Sequence, residues 1–188
     1  MQYHYNINLP VVFNPIDIYP SGTVFSKTVE MKIDNVQIEK ENFELVAWLK
    51  SLGLCIEGGR YFESTPHVKY KIHVDSPDSV AVKLNFIYSS FNSEMIWYEL
   101  LPNQTGVAYT NISDEVLPWY EYNQVKEVYK VNTDTHCLIN AGAIHQLINS
   151  DNHGVNRKCY SLKLQFIDKN KKLTWDNAVE ILKEYVGS

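Results

Sequence analysis

Between residues 68 and 166 the chain is a succession of short runs rich in β-branched and aromatic residues, each cut by a cluster of Asn, Asp, Ser, Pro or Gly. That texture limits the possible folds more tightly than any other feature. The spacing predicts strands over 68–75, 80–88, 95–101, 107–110, 125–131, 137–140 and 158–167. No helical periodicity interrupts them, so the crossovers that a parallel sheet needs are missing, and an antiparallel sandwich or jelly-roll barrel is the expected architecture. Upstream, Pro10, Pro15 and Pro20 mix with apolar pieces such as Val11-Val12-Phe13 and an alternating stretch over 28–38, which reads as irregular chain and edge strands. Leu45, Trp48, Leu49 and Leu52 recur with helical spacing and Gly53 follows as a stop, predicting a helix near 42–52. Thr174 precedes a second helical stripe of Trp175, Ala178, Ile181, Leu182 and Tyr185, predicting a helix near 174–186 with Thr174 as its N-cap. Both helices are expected to cover an outer sheet face.

At 188 residues, with 45% hydrophobic and 21% charged residues, the chain fits one domain over 1–188 with one sizeable core. Its net charge of −5 offers no general attraction to phosphate backbones, so nucleic acid is not an expected partner. The start lacks a basic and apolar leader, and no apolar run is long enough to span a bilayer, so a cytoplasmic protein without membrane contact is expected. Cys55, Cys137 and Cys159 are widely spaced with no C-x-x-C, which predicts reduced thiols rather than a disulfide framework or zinc site. The N-x-S/T matches at Asn103 and Asn111 would matter only in a secreted protein.

The first chemically suggestive pattern is Ile72-His73-Val74-Asp75. Side chains two apart on a strand point the same way, so His73 and Asp75 share one face while Ile72 and Val74 take the other. An imidazole beside a carboxylate is half of a metal site. His145 is the candidate third ligand, following the small residues Ala141-Gly142-Ala143, which let the backbone turn and approach closely. Two histidines and one carboxylate on one face of a metal leave positions open, the facial arrangement of non-haem iron(II) oxygenases. His4, His67, His136 and His153 read as surface or hydrogen-bonding residues. The four tryptophans and thirteen tyrosines read as core and rim. The poorly periodic stretch 103–122 is expected to flank the substrate entrance.

His73-x-Asp75, the distal His145, and Arg157 followed by the alternating strand Cys159-Tyr160-Ser161-Leu162-Lys163-Leu164 resemble the iron(II)- and 2-oxoglutarate-dependent oxygenase superfamily. The resemblance covers about half the chain. It is closest to small aspartyl/asparaginyl β-hydroxylase-like and phage-type prolyl-hydroxylase-like members, in which a Leu-Asn-containing strand and a Trp-Tyr strand follow, here Leu84-Asn85-Phe86 and Trp97-Tyr98. It implies a double-stranded β-helix, a jelly-roll or cupin-like barrel. It also implies that His73, Asp75 and His145 hold Fe(II), and that Arg157 pairs with the far carboxylate of the co-substrate 2-oxoglutarate through its planar fork. The serine that assists the arginine in some members is replaced by Cys159, with Ser161 on the same face. Lys83, Asn85 and, more weakly, Tyr98 are the other pocket candidates. The implied reaction couples decarboxylation of 2-oxoglutarate to succinate with dioxygen-dependent hydroxylation of a peptide or small molecule. Two alternatives stay open: a cupin-type metalloprotein without 2-oxoglutarate, suggested by Gly142-x-x-His145-x-x-x-Asn149, and a non-catalytic β-sandwich interaction protein.

Overall fold

The computed structural model describes residues 2–18, 28–76, 81–110 and 116–187. The strands are β1 (His4–Asn6), β2 (Thr28–Ile33), β3 (Leu54–Ser64), β4 (Val68–Lys69), β5 (Ile72–His73), β6 (Val82–Tyr88), β7 (Ser93–Leu100), β8 (Val107–Thr110), β9 (Val116–Tyr120), β10 (Val125–Asn132), β11 (Cys137–Asn140), β12 (His145–Asn149) and β13 (Arg157–Phe166). The helices are α1 (Asn35–Glu41), α2 (Phe43–Ser51) and α3 (Trp175–Leu182). Pro20, Val80 and Asn111 of the sequence-based expectations lie outside the described residues.

One sheet has the order β1-β11-β6-β13-β3-β2 and the other β10-β7-β12-β5-β9-β8, with β4 paired to β12; the named pairs are antiparallel. The chain passes from β3 in the first sheet to β5 in the second, back to β6 and over to β7. After β10 it returns through β11 in the first, β12 in the second and β13 in the first. Each pass lays a strand beside one from the opposite half of the winding, as in β6 beside β13 and β7 beside β12. This is a double-stranded β-helix.

Side-chain alternation builds the layers. Leu84, Phe86, Leu162 and Leu164 point outward from the first sheet and pack with Ile38, Leu45, Leu49, Ala178 and Leu182 of the helices and Phe13 and Ile16 of the N-terminal arm. Ile87, Met95, Trp97, Cys137, Ile139 and Cys159 fill the space between the sheets. β6 and β13 are therefore covered on both faces, which is why polar Lys83, Asn85, Arg157 and Ser161 are buried in them. A smaller cluster of Ile72, Ile96, Tyr98 and Val125 forms on the opposite side chains of the second sheet.

Gly53, with φ 76°, follows α2 as expected, and the Thr174 side chain caps the start of α3 by accepting from Asn177 N at 3.3 Å, although α3 ends at Leu182, short of the expected 186. β1 and β2 lie at the sheet edges. Two expectations need correction, and β3 and β9 are among the elements that the sequence did not lead us to expect. The stretch over 68–75 is two short strands broken at Tyr70, whose N–H donates to Leu147 O at 2.9 Å. The alternation over 28–38 ends at Ile33, because Asp34 caps α1 by accepting from Val36 N at 3.0 Å. β3, the longest strand, carries Gly58 and Gly59, which dilute its strand signal, yet it pairs along β13. The 103–122 stretch contains the β8–β9 hairpin, with 111–115 outside the described residues.

Candidate metal centre

His145 lies directly opposite His73 across the β12–β5 pair and opposite Trp97 across β12–β7. The imidazole ring centroids of His73 and His145 are 4.6 Å apart. Beyond β5 the chain is tied down by Asp75 N–H donating to Ala141 O at 3.0 Å, which fastens it to the turn preceding β12. That turn is fixed from below by Trp97 Nε1–H donating to Asn140 O at 2.9 Å. Asp75, two residues past His73 and just beyond β5, and His145 across the ladder are thus brought together by backbone hydrogen bonds. One ligand atom from each of His73, Asp75 and His145 lies within 4.8 Å of the others; among the described residues no other such group of His, Cys, Asp and Glu occurs.

The protonation pattern suits a metal. His73 Nδ1–H donates to Lys71 O at 2.7 Å and His145 Nδ1–H to Ala143 O at 2.8 Å, and since carbonyls only accept, both protons sit on Nδ1. The Nε2 atoms face Asp75, at 3.3 Å from Oδ1 for His73 and 3.5 Å from Oδ2 for His145. Carbonyl-oriented imidazoles are the usual outer support of metal-ligating histidines. Burial lowers the His145 pKa to about 4, leaving it neutral. For His73 burial works against charging, but the hydrogen bond and charge of Asp75 outweigh it and raise the pKa. Burial would raise Asp75, yet Lys83, His73 and His145 hold it well below the usual carboxylate range. Two imidazole nitrogens and an ionised carboxylate fit a divalent transition metal. Lys83, 2.7 Å from Asp75 Oδ2, holds the carboxylate ionised and supplies the positive charge that a metal would otherwise bring.

The triad opens on a cavity of about 660 Å³ between the sheets, whose lining includes seven of the eight residues singled out from sequence: His73, Asp75, His145, Lys83, Asn85, Arg157 and Ser161. Across the ladder Asn85 faces Ser161 and Lys83 faces Lys163. Asn85 Oδ1 is buried without a hydrogen-bond partner among the described residues. The lining carboxylates are each paired: Glu30 with Arg60, Glu57 with Lys163 at 2.9 Å, and Asp75 with Lys83. Arg157, 3% exposed, has no carboxylate partner among the described residues, its Nε–H donating to Ser93 Oγ at 3.1 Å. Cys159 beside it stays a neutral thiol, because burial raises its pKa against the pull of Arg157. A buried guanidinium without a counter-ion is costly, and an entering anion relieves it.

Tyr98 is a correction. Trp97 faces the intersheet space, so alternation turns Tyr98 away from the cavity, and its hydroxyl donates to Gln146 Oε1 at 3.0 Å. Lining residues that sequence did not indicate include Arg60 and Phe62 on β3, Leu117 on β9, and Tyr70 and Lys71 before β5. Lys71, with its ammonium 4.2 Å from the Trp119 ring centroid, shares the odd face with His73, which was a usable signal. Glu57 reaches the cavity because the β13–β3 register shifts there, Lys163 pairing with Gly58 and Leu164 with Ile56.

No family model matches the sequence, and no curated protein does. Solved structures with some likeness include E. coli ycfD, at 12% identity and TM-score 0.42, covering 89% of this chain and 42% of that one. A cupin 2 domain-containing protein from Halorhodospira halophila has 12% identity and TM-score 0.34, covering 96% and 90%. An oxalate oxidase has 11% identity and TM-score 0.34, covering 97% and 89%. The chain spans less than half of ycfD and 30% of a hazelnut vicilin that it also resembles, at 10% identity, 75% coverage of this chain and TM-score 0.38. Likenesses this distant carry no argument about activity, so the assignment rests on strand order and donor set. On those grounds the chain is a cupin-like double-stranded β-helix with a candidate His-Asp-His metal centre.

Proposed function

We propose that this protein is an iron(II)- and 2-oxoglutarate-dependent oxygenase that hydroxylates a peptide or small-molecule substrate. One observation carries the proposal: a His-Asp-His donor set and a buried arginine without a carboxylate partner among the described residues line the same cavity. His73, Asp75 and His145 would hold the metal. When bound there with 2-oxoglutarate and dioxygen, iron(II) supplies oxidative decarboxylation to succinate and carbon dioxide coupled to hydroxylation of a C–H bond.

The chain's own part is binding and orientation. Arg157 offers a planar cation to the far carboxylate of the co-substrate. Ser161 and Asn85, neighbours across β13 and β6, offer a hydroxyl and an amide along the same wall. Lys83 keeps Asp75 ionised and adds positive charge where the carboxylate and keto end of the co-substrate would lie. Met95, Leu147 and Phe62 give the lining its apolar portion and exclude water from around the co-substrate.

The test is succinate formation from 2-oxoglutarate by the iron(II)-loaded protein in air, alongside calorimetric binding of 2-oxoglutarate to the manganese(II)-loaded protein without oxygen. Succinate above the level of a His145→Ala control is expected. No binding and no succinate would sink the proposal. Metal binding with no 2-oxoglutarate binding would favour a cupin-type metalloprotein that uses no co-substrate.

A further inference from the structure

We infer that Ser93 and Asp134 are positioning residues for Arg157, gripping its guanidinium through Nε so that the terminal NH2 groups stay available as a fork for a carboxylate. The inference rests on the proposed function, in which that carboxylate is the far end of 2-oxoglutarate.

Three separate elements meet here. Arg157 opens β13, Ser93 opens β7, and Asp134 lies in the connection from β10 to β11. Ser93 is fully buried, and its Oγ accepts from Arg157 Nε–H at 3.1 Å. Behind it, Asp134 Oδ1 lies 3.1 Å from Ser93 Oγ, accepts from Ser93 N–H at 2.9 Å, and takes the Ser90 hydroxyl as well. The Ser93 hydroxyl has a single hydrogen, and both Asp134 Oδ1 and Thr133 O, at 3.1 Å, can accept it. Arg157 has only donors, so whichever acceptor takes that hydrogen, a lone pair of Oγ faces Nε. Burial works against ionised Asp134, but its hydrogen bonds from Ser90, Ser93 and the Asn132 side outweigh this and hold its pKa down.

The consequence is a charge pair separated by one hydroxyl. A direct Asp134–Arg157 contact would occupy the terminal NH2 groups and block the fork. A carboxylate one group further back offsets part of the cost of burying the guanidinium while leaving those groups clear of any carboxylate among the described residues, with the neutral Cys159 thiol as another side chain hydrogen-bonded to Arg157. Arg157 lines the cavity, whereas Ser93 and Asp134 do not, so they act through Arg157 rather than on the ligand. Fixing a long side chain in advance also removes entropy that binding would otherwise lose.

The experiment compares the unaltered protein with Ser93→Ala, Ser93→Thr, Asp134→Asn and Arg157→Ala. Each is titrated metal-free with glutarate, which has two carboxylates but no keto group, and manganese-loaded without oxygen with 2-oxoglutarate and with pyruvate, which lacks the far carboxylate. Ser93→Ala should weaken glutarate and 2-oxoglutarate by roughly tenfold, the worth of one hydrogen bond to a charged group, while leaving pyruvate and manganese affinity unchanged. Ser93→Thr, keeping the hydroxyl, should restore most of the loss, and the isosteric Asp134→Asn should lose several-fold. Glutarate binding that is the same in Ser93→Ala and Asp134→Asn as in the unaltered protein overturns the inference. So does an unaltered protein that binds glutarate no better than Arg157→Ala. Glutarate binding that depends on Ser93, in a protein whose manganese-loaded form does not bind 2-oxoglutarate and which forms no succinate, supports the positioning role and removes the oxygenase proposal alone.

Discussion

His73 and His145 face each other across one ladder step, yet their environments push their pKa values in opposite directions. Only His73 lies near enough to Asp75 for a hydrogen bond to outweigh burial. A metal needs a bare Nε2 on both rings, so protons compete with it at His73 first. The affinity is complete above the raised pKa of His73 and is lost as pH falls through it, beginning above the ordinary histidine value of 6.5. His145 adds a second loss only near pH 4. Manganese(II) or zinc(II) affinity, measured by competition with a chromophoric chelator, should therefore fall on acidification from pH 8 to pH 6. An Asp75→Asn variant, lacking the charge that raises His73, should bind weakly throughout and lose less over that interval. The HxD alternation made two candidate ligands legible in the sequence, because strand geometry needs no tertiary information. The hydrogen bonds of His73 to Lys71 O and of Arg157 to Ser93 were not legible, since they depend on how the backbone bends and on segments distant in the chain.

At the scale of elements, strands that alternate apolar and polar residues could be read locally, and β8 and β11 fall where expected. β3 could not, although it pairs with both β13 and β2, because glycines weaken its strand propensity and long-range pairing overrides that preference. Gly59 explains part of the cost that the fold accepts there. A Cβ at Gly59 would stand 2.6 Å from Ile38 Cδ1, 3.1 Å from Leu162 Cδ2 and 3.4 Å from Ile33 Cβ, so a side chain there forces the buried tip of Ile38 out of its place between α1 and β3. Gly59→Ala should lose about 1–3 kcal/mol in urea unfolding by overpacking. Because the displaced atoms lie on the helix side of the sheet, metal affinity of the folded fraction should change little.

Across the whole molecule, a metal that binds only the folded arrangement of β5 and β12 adds to stability by mass action. At a concentration one hundred times its dissociation constant, the gain is about 2.7 kcal/mol. Manganese(II) should accordingly raise the melting temperature, a chelator should reverse the rise, and His145→Ala should abolish it; an equal rise in that variant would place the metal elsewhere. The sequence by itself determined a mainly β chain with two flanking amphipathic helices and the ligand types, because periodicity, turn residues and donor chemistry are local properties. Tertiary structure alone decided that His145 lies opposite His73, that Lys83 pairs with Asp75, that Ser93 and not a carboxylate holds Arg157 Nε, and that Tyr98 turns away from the cavity. Register and sheet order set those relations, and both are fixed by which distant faces can be buried together, which no local run of residues specifies.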